Sequence, residues 1–436
     1  MRQELPATIL VIFGITGDLS RRYLLPALAQ VCAAGELSKD FKVLGVSRRE
    51  VNPDELFTPQ QALLKQHTSM LKMDPAAADG YQSLKQTVDE LAQSLGEGTQ
   101  VLFYLVVPPE NVLLIIQHLS NVGLNQPHTK LLLEKPFGKD QNSAQELIDT
   151  IRERFPDDQV YRIDHYLAKE MAQNIVVFLG SNAIFRDVWT NQFIEQIEII
   201  NTEEIGIEGR KFYDQTGALR DVVQSHMLQL AALVLMEPCS DIFDFDEIPM
   251  RRLAALKQLR LADQPAPVLA QYDGYRKEVG YPDSTTETFV ALTLVSNDPR
   301  WQGVPIRLTT GKKLDKKLTE VRIQFKKTSN SAANTLCLRI QPNESIELDL
   351  WVKKPGYERE LQKLPLNFVY DQHFDRLPDA YEQVLIDAMR SNRSLFASSD
   401  EVLRSWAIVD PILKNPPTLT TYKPGSTIEE VLKPAF

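Results

Sequence analysis

The chain has 436 residues, 43% of them hydrophobic and 24% charged, which is material for two or three buried cores rather than one. Its 58 acidic residues outnumber 48 Lys and Arg, and the formal net charge of −10 argues against general binding to nucleic acid or anionic membrane. The longest apolar runs are too short to span a bilayer, and the first residues carry no basic-then-apolar export signal. Three distant cysteines make neither a disulfide framework nor a CxxC metal pattern, so the expectation is a cytoplasmic protein with reduced thiols.

In chain order, residues 8–13 are a β-branched and aromatic run of the kind buried on both faces of a sheet. A glycine turn follows, then a helix over 19–33 with Pro26 as its kink. Strands are expected at 41–46, 101–107, 130–133 and 160–163, with helices at 112–119 and 143–154. That alternation reads as α/β with a parallel sheet. Beyond about residue 170 the pattern changes. A strand at 193–201 and one long amphipathic helix at 221–236 lead to strands at 288–295, 304–310, 320–326, 335–340 and 346–351. Helices at 379–389 and 399–414 follow, and 263–271 reads as a surface loop. The second part is therefore α+β, larger than the first, and built on a mainly antiparallel sheet. The chain divides into a domain over 1–168 and another over 169–436, with the boundary near 165–175.

Gly14, Thr16, Gly17, Asp18 and Leu19 lie between the first strand and the first helix, where a glycine pair lets backbone N–H groups approach a pyrophosphate. No third glycine follows, and an ordinary tight turn has the same spacing. Arg48 and Arg49 close the second strand where an NAD site would usually place an acid, and two arginines suit the 2′-phosphate of NADP. Lys135, in Glu134-Lys135-Pro136-Phe137-Gly138, stands at a strand's carboxyl end, where open α/β sheets bind ligands. Arg162 to Lys169 concentrates polar chemistry at the boundary. On a helix His165 and Lys169 would share one face and clamp a phosphate, while a structural salt-bridge cluster is the plainer alternative. His226 on an apolar helix is either a core histidine or a neutral imidazole able to take a proton from an alcohol, with Asp164 a candidate to fix its tautomer. Asp221, five residues earlier, would sit roughly 140° around an α-helix from it. Residues 311–317 carry four lysines, either a solvated hairpin tip or a field for a sugar phosphate. The six histidines show no ligand spacing, and no metal is expected.

Together these segments resemble the glucose-6-phosphate dehydrogenase family over nearly the whole chain. The marks are the turn at 14–19, EKPFG at 134–138, RIDHYLxKE at 162–170, GALRDVVQSHMLQL at 217–230, GKKLDKKLTEVRIQF at 311–325, RIQPNE at 339–344 and LPDAYEQVL at 377–385. The resemblance implies a Rossmann-like dinucleotide-binding domain followed by the substrate domain. It implies oxidation of glucose 6-phosphate at C1 to the 6-phosphogluconolactone, with hydride passing to NADP and NAD a weaker alternative. His226 is then the general base and Asp164 the group that orients it. His165, Tyr166 and Lys169 would hold the phosphate with Lys312 and Lys317, while Glu203, Asp221 and Gln341 would contact the sugar or its loops. Lys135 would touch both ligands, with Thr16 and Arg48 serving NADP.

Three positions depart from the family pattern: Ser225 replaces an Asn, Ala168 a Gly, and residues 209–214 lack a Gly pair and are one residue short, which bears on Glu203. Family members also pair through the C-terminal sheet, so a homodimer or homotetramer is expected, without nucleic-acid or membrane partners. A sugar oxidoreductase of the glucose-fructose oxidoreductase type, which also uses a strand-end Glu-Lys-Pro, is the enzymatic alternative. A catalytically silent NADP sensor is the other, supported by Ser225 and the shortened loop.

Overall fold

The computed structural model describes residues 5–239, 241, 244–328 and 333–433; the first four residues, where no export signal was read, lie outside this set. The chain forms two compact units. The first comprises Met1–Gly138, Asn142–Ala168 and Pro378–Ser399, and the second Lys139–Gln141, Lys169–Leu377 and Asp400–Phe436.

In the first unit, β1 (Thr8–Phe13), β2 (Phe41–Ser47), β3 (Thr68–Lys72), β4 (Gln100–Leu105), β5 (Thr129–Leu133) and β6 (Val160–Ile163) pair in parallel in the order 6-5-4-1-2-3. Alternation sorts the side chains of β1 to opposite faces. Leu10 and Ile12 join a core with the helices Leu25–Ala33 and Ala380–Met389, whereas Ile9, Val11 and Phe13 pack with Gly80–Leu95 and Pro109–Asn121. Every residue of β1 is therefore buried. Residues 378–399, which the chain-order reading left with the second domain, pack here. Phe396–Ala397 adds an antiparallel edge to β6, and the buried Lys130 ammonium donates to the Ala388 carbonyl at 2.6 Å and to Ser391 Oγ at 2.7 Å.

The expected first helix is wound in two parts. Residues 18–33 are helical without a break: Ser20–Leu24 is π-helical and runs directly into the α-helix Leu25–Ala33, so the change of winding falls beside Pro26, which has no N–H to give the ladder.

The second unit is built on a sheet of ten strands among the described residues. Its path runs β15 (Leu361–Val369), β14 (Ser345–Lys353), β13 (Thr335–Gln341), β12 (Leu318–Phe325), β7 (Ile194–Thr202), β11 (Ile306–Gly311), β10 (Phe289–Ser296), β9 (Val268–Tyr272) and Leu419–Tyr422, with β8 (Leu259–Leu261) on β10. Pairings are antiparallel except β7 with β11 and β9 with Leu419–Tyr422. The surface loop expected at 263–271 gives way to β9 at Val268, whose residues 269–272 are buried. The single helix expected at 221–236 is also two windings: Leu219–Met227 is π-helical and Leu228–Leu235 α-helical.

Candidate active site

The first unit supplies a dinucleotide cradle at the switch point, where β1 separates β2 from β4. Gly14 leaves β1 with φ +82°, and a Cβ there would lie 2.1 Å from the Val106 carbonyl oxygen. Only glycine fits so close a backbone approach. The Gly17 N–H donates to the Gly14 carbonyl, closing the turn, and the Ser20 hydroxyl donates to the same oxygen at 2.9 Å. That bond occupies the place where a third glycine was missed. Thr16 and Gly17 are half-buried, Asp18 is exposed, and Leu19 already has helical dihedrals. Arg48 and Arg49 follow β2 in the open, and β2 touches the turn through the bond from Gly14 N–H to the Val46 carbonyl. The residues present fit NADP: the turn leaves room without a Cβ for a pyrophosphate, and Arg48 and Arg49, directly after β2, are of the type that pairs a 2′-phosphate.

At the carboxyl end of β5, the Lys135–Pro136 peptide is cis. Gly138 has φ +84°, with Ala144 backbone 2.6 Å from where a Cβ would stand. The Glu134 carboxylate accepts a 2.6 Å hydrogen bond from Tyr104 of β4. Burial pushes Glu134 up to about 7, with Asp164 adding to the rise while the Tyr104 bond and Lys135 oppose it. Lys135, Glu134 and Asp164 thus share one neighbourhood. Asp164 is buried just past β6 and accepts the Tyr166 N–H at 2.9 Å, and the His165 and Tyr166 rings lie 5.0 Å apart. Residues 165–168 form a turn and the following helix starts only at Glu170, so His165 and Lys169 do not share a helix face. Lys169 instead precedes that helix in extended conformation and lies near Glu344, whose carboxyl burial raises and Lys169 lowers.

The second unit builds a separate polar cluster. Because β7 and β11 run parallel with Thr202 opposite Gly311, the first residues beyond them, Glu203 and Lys312, emerge side by side and form an ion pair. Lys312 is buried, contrary to a solvated hairpin tip, whereas Lys317 is exposed. Gln341 ends β13 and donates to Thr319 Oγ1 of β12 at 2.9 Å.

His226 is buried on the π-helical turn, and Asp221 is half-buried. The winding shows in the Leu228 N–H, which donates to the Val223 carbonyl five residues back, while the Ser225 hydroxyl donates to the Asp221 carbonyl at 2.7 Å. An i→i+5 ladder brings fifth neighbours toward one side, so Asp221 and His226 are closer in direction than the 140° expected of an α-helix. The turn begins against Glu287, a buried carboxylate that accepts the Leu219 N–H at 2.8 Å. Burial raises Glu287, and the Leu219 bond and Arg220 counter it. Tyr213 is buried, with Asp221, Glu287 and Glu203 near enough to add to the rise that burial imposes on its phenol. Sequence reasoning passed over Glu287, Tyr213 and Tyr104. Only a tyrosine inside the buried β4 run hinted at a polar partner for its hydroxyl.

A parallel sheet in the order 6-5-4-1-2-3 with a glycine cradle at its switch point, on a chain that also carries buried histidine, lysine and carboxylates, is a dinucleotide-dependent dehydrogenase. Residues 11–174 match the family model "Glucose-6-phosphate dehydrogenase, NAD binding domain", and residues 176–432 match "Glucose-6-phosphate dehydrogenase, C-terminal domain". The chain belongs to the glucose-6-phosphate dehydrogenase family. It is 38% identical to glucose-6-phosphate 1-dehydrogenase of Borreliella burgdorferi, over 92% of this chain and 91% of that one. With the Bacillus subtilis enzyme of that name it shares 34%, over 93% and 91%. A solved glucose-6-phosphate dehydrogenase in complex with glucose-6-phosphate covers 100% of this chain at TM-score 0.92 and 30% identity, with 99% of that chain covered. The Mycobacterium avium structure gives 0.85 and 31%, covering 97% of this chain and 95% of the other.

Proposed function

We propose that the chain oxidises D-glucose 6-phosphate at C1 to 6-phospho-D-glucono-1,5-lactone, the entry step of the pentose phosphate pathway, with His226 as general base and Asp164 as its orienting acid. Bound NADP supplies the hydride acceptor. His226 removes the C1 hydroxyl proton, and the electron density released at that oxygen expels the C1 hydrogen as hydride. Asp164, accepting from the imidazole, would hold one tautomer and stabilise the imidazolium that forms. This requires the two side chains to meet in the substrate-bound enzyme.

Asp221, half-buried on the same π-turn, would accept from sugar hydroxyls beside His226, with Glu203 and Gln341 ordering the loops around the ring. His165, Tyr166, Lys169, Lys312 and Lys317 would neutralise the phosphate, and that remote binding energy positions C1 for the transfer. Lys135 would face both ligands. Gly14, Thr16, Gly17, Asp18 and Leu19 would line the pyrophosphate, with Arg48 on the 2′-phosphate.

The observation that carries this reading is the buried His226 on a widened helical turn, in the unit whose polar cluster holds Asp221, Lys312 and Glu203. Nicotinamide reduction, followed with NADP and with NAD against glucose 6-phosphate and its epimers, tests it. Reduction that depends on glucose 6-phosphate and is faster with NADP supports the assignment, and absence of turnover refutes it.

For assembly, β14 and β15 expose Leu350, Val352, Leu364 and Leu366 on one face, apolar area that a second copy would cover in a homodimer or homotetramer. No helix among the described residues is long and apolar enough to cross a membrane. A cytoplasmic setting agrees with Cys32 and Cys239, both free and buried.

A further inference from the structure

We propose that Tyr213 is a positioning residue for sugar-phosphate binding, its ring being the shelf that holds the Lys312 ammonium. This rests on the reading that Lys312 binds the substrate phosphate. The Lys312 backbone is pinned on two sides: its N–H donates to the Thr288 carbonyl at 3.0 Å, and its carbonyl accepts the Tyr422 hydroxyl at 2.5 Å. Its ammonium reaches the Glu203 carboxylate and stands 5.1 Å from the centroid of the Tyr213 ring. That ring is seated in an apolar cluster with Tyr272, Tyr275, Phe289 and Tyr422, and Tyr275 packs edge-on at 6.4 Å.

The two contacts differ in what they leave for an anion. A carboxylate cancels the charge of an ammonium, whereas the negative face of an aromatic ring supports a cation while leaving its unit charge in place. An ammonium held by Glu203 alone would offer a phosphate dianion little net attraction. Held on the ring as well, it can tilt from carboxylate to phosphate without losing all support. The hydroxyl is not part of this arrangement. Tyr213 Oη is shielded from solvent and has no hydrogen-bond partner among the described residues. An unpaired buried hydroxyl costs stability, so its removal should leave the protein at least as stable.

The test is steady-state kinetics on the full-length enzyme. Tyr213→Phe should keep KM for glucose 6-phosphate within about twofold and melt no lower than the wild type. Fluorinated phenylalanines at position 213 drain the ring's negative face with little change of shape. Along mono-, di- and trifluoro substitution, KM for glucose 6-phosphate should climb stepwise to about tenfold while KM for NADP stays put. Tyr213→Met, which removes the ring, should match the end of that series. The inference is overturned if fluorination leaves KM for glucose 6-phosphate unmoved, if both KM values rise together, or if Tyr213→Phe alone produces the full rise. Lys312→Met separates the underlying premise: if it leaves that KM unchanged, the phosphate assignment of Lys312 fails irrespective of Tyr213.

Discussion

Replacing Gly217 by Ala tests how the imidazole-bearing turn is held. Gly217 has φ +71°, and a Cβ there would stand 2.4 Å from Glu287 Oε1, the oxygen that accepts the Leu219 N–H. The left-handed backbone alone costs a non-glycine residue about 1–2 kcal/mol. Displacing a buried carboxylate from a backbone N–H adds about 1.5–3 kcal/mol, since the bond is charge-assisted. The sum is about 2.5–5 kcal/mol, enough to lower the melting temperature by roughly 5–10 °C. Because the freed end is the start of the Leu219–Met227 turn, His226 should move with it, and with His226 as the proposed base a shift of about 1 Å costs about 100-fold in kcat. Gly303→Ala is the control: φ there is +84° but nothing lies within 4 Å, so only the backbone cost applies. Calorimetry and steady-state rates on both variants decide the matter. A Gly217→Ala enzyme as stable and as fast as Gly303→Ala would refute the role given to Glu287.

Two further outcomes follow from the first unit. Arg48→Ala should raise KM for NADP by about 10–100-fold, the worth of a charged pair of about 1.5–3 kcal/mol, and leave KM for NAD nearly unchanged; equal effects on the two coenzymes would remove Arg48 from the 2′-phosphate. Burial that raises Glu134 from 4.5 to about 7 makes the folded state hold a proton that the unfolded chain releases between those values. Its stabilising contribution is then full below pH 4.5 and lost as pH rises through 7, a span of up to about 3 kcal/mol. Glu134→Gln should therefore flatten the dependence of melting temperature on pH across that window, and an unchanged slope would contradict the assignment.

How much was legible in the chain differed by element. The strands β1, β4 and β5 stood out because strands buried on both faces are continuous apolar runs. β15 did not: it is exposed through most of its length and has Pro365 at its middle, the composition of an edge strand. β3 was missed because none of its five residues is buried. The π-turn at Leu219–Met227 was invisible to a reading that assumes 3.6 residues per turn, although Ser225 bonding back to the Asp221 carbonyl accompanies it. In the candidate site, residues close together in one segment, such as Asp164 to Tyr166, could be read from the chain as a group. Glu203 and Lys312 are 109 residues apart, and only the parallel register of β7 and β11 makes them partners. Residues 378–399 return to the first unit through Lys130 and the Phe396–Ala397 edge, a long-range pairing that composition does not encode.

The most direct measurement is single-turnover nicotinamide reduction by His226→Asn, with glucose 6-phosphate binding followed by calorimetry on the same protein. If His226 is the base, binding stays within about threefold of wild type while hydride transfer falls by about 10²–10⁴, the worth of a positioned general base. A variant that binds normally and still reduces NADP at more than about a tenth of the wild-type rate would show that another group takes the proton.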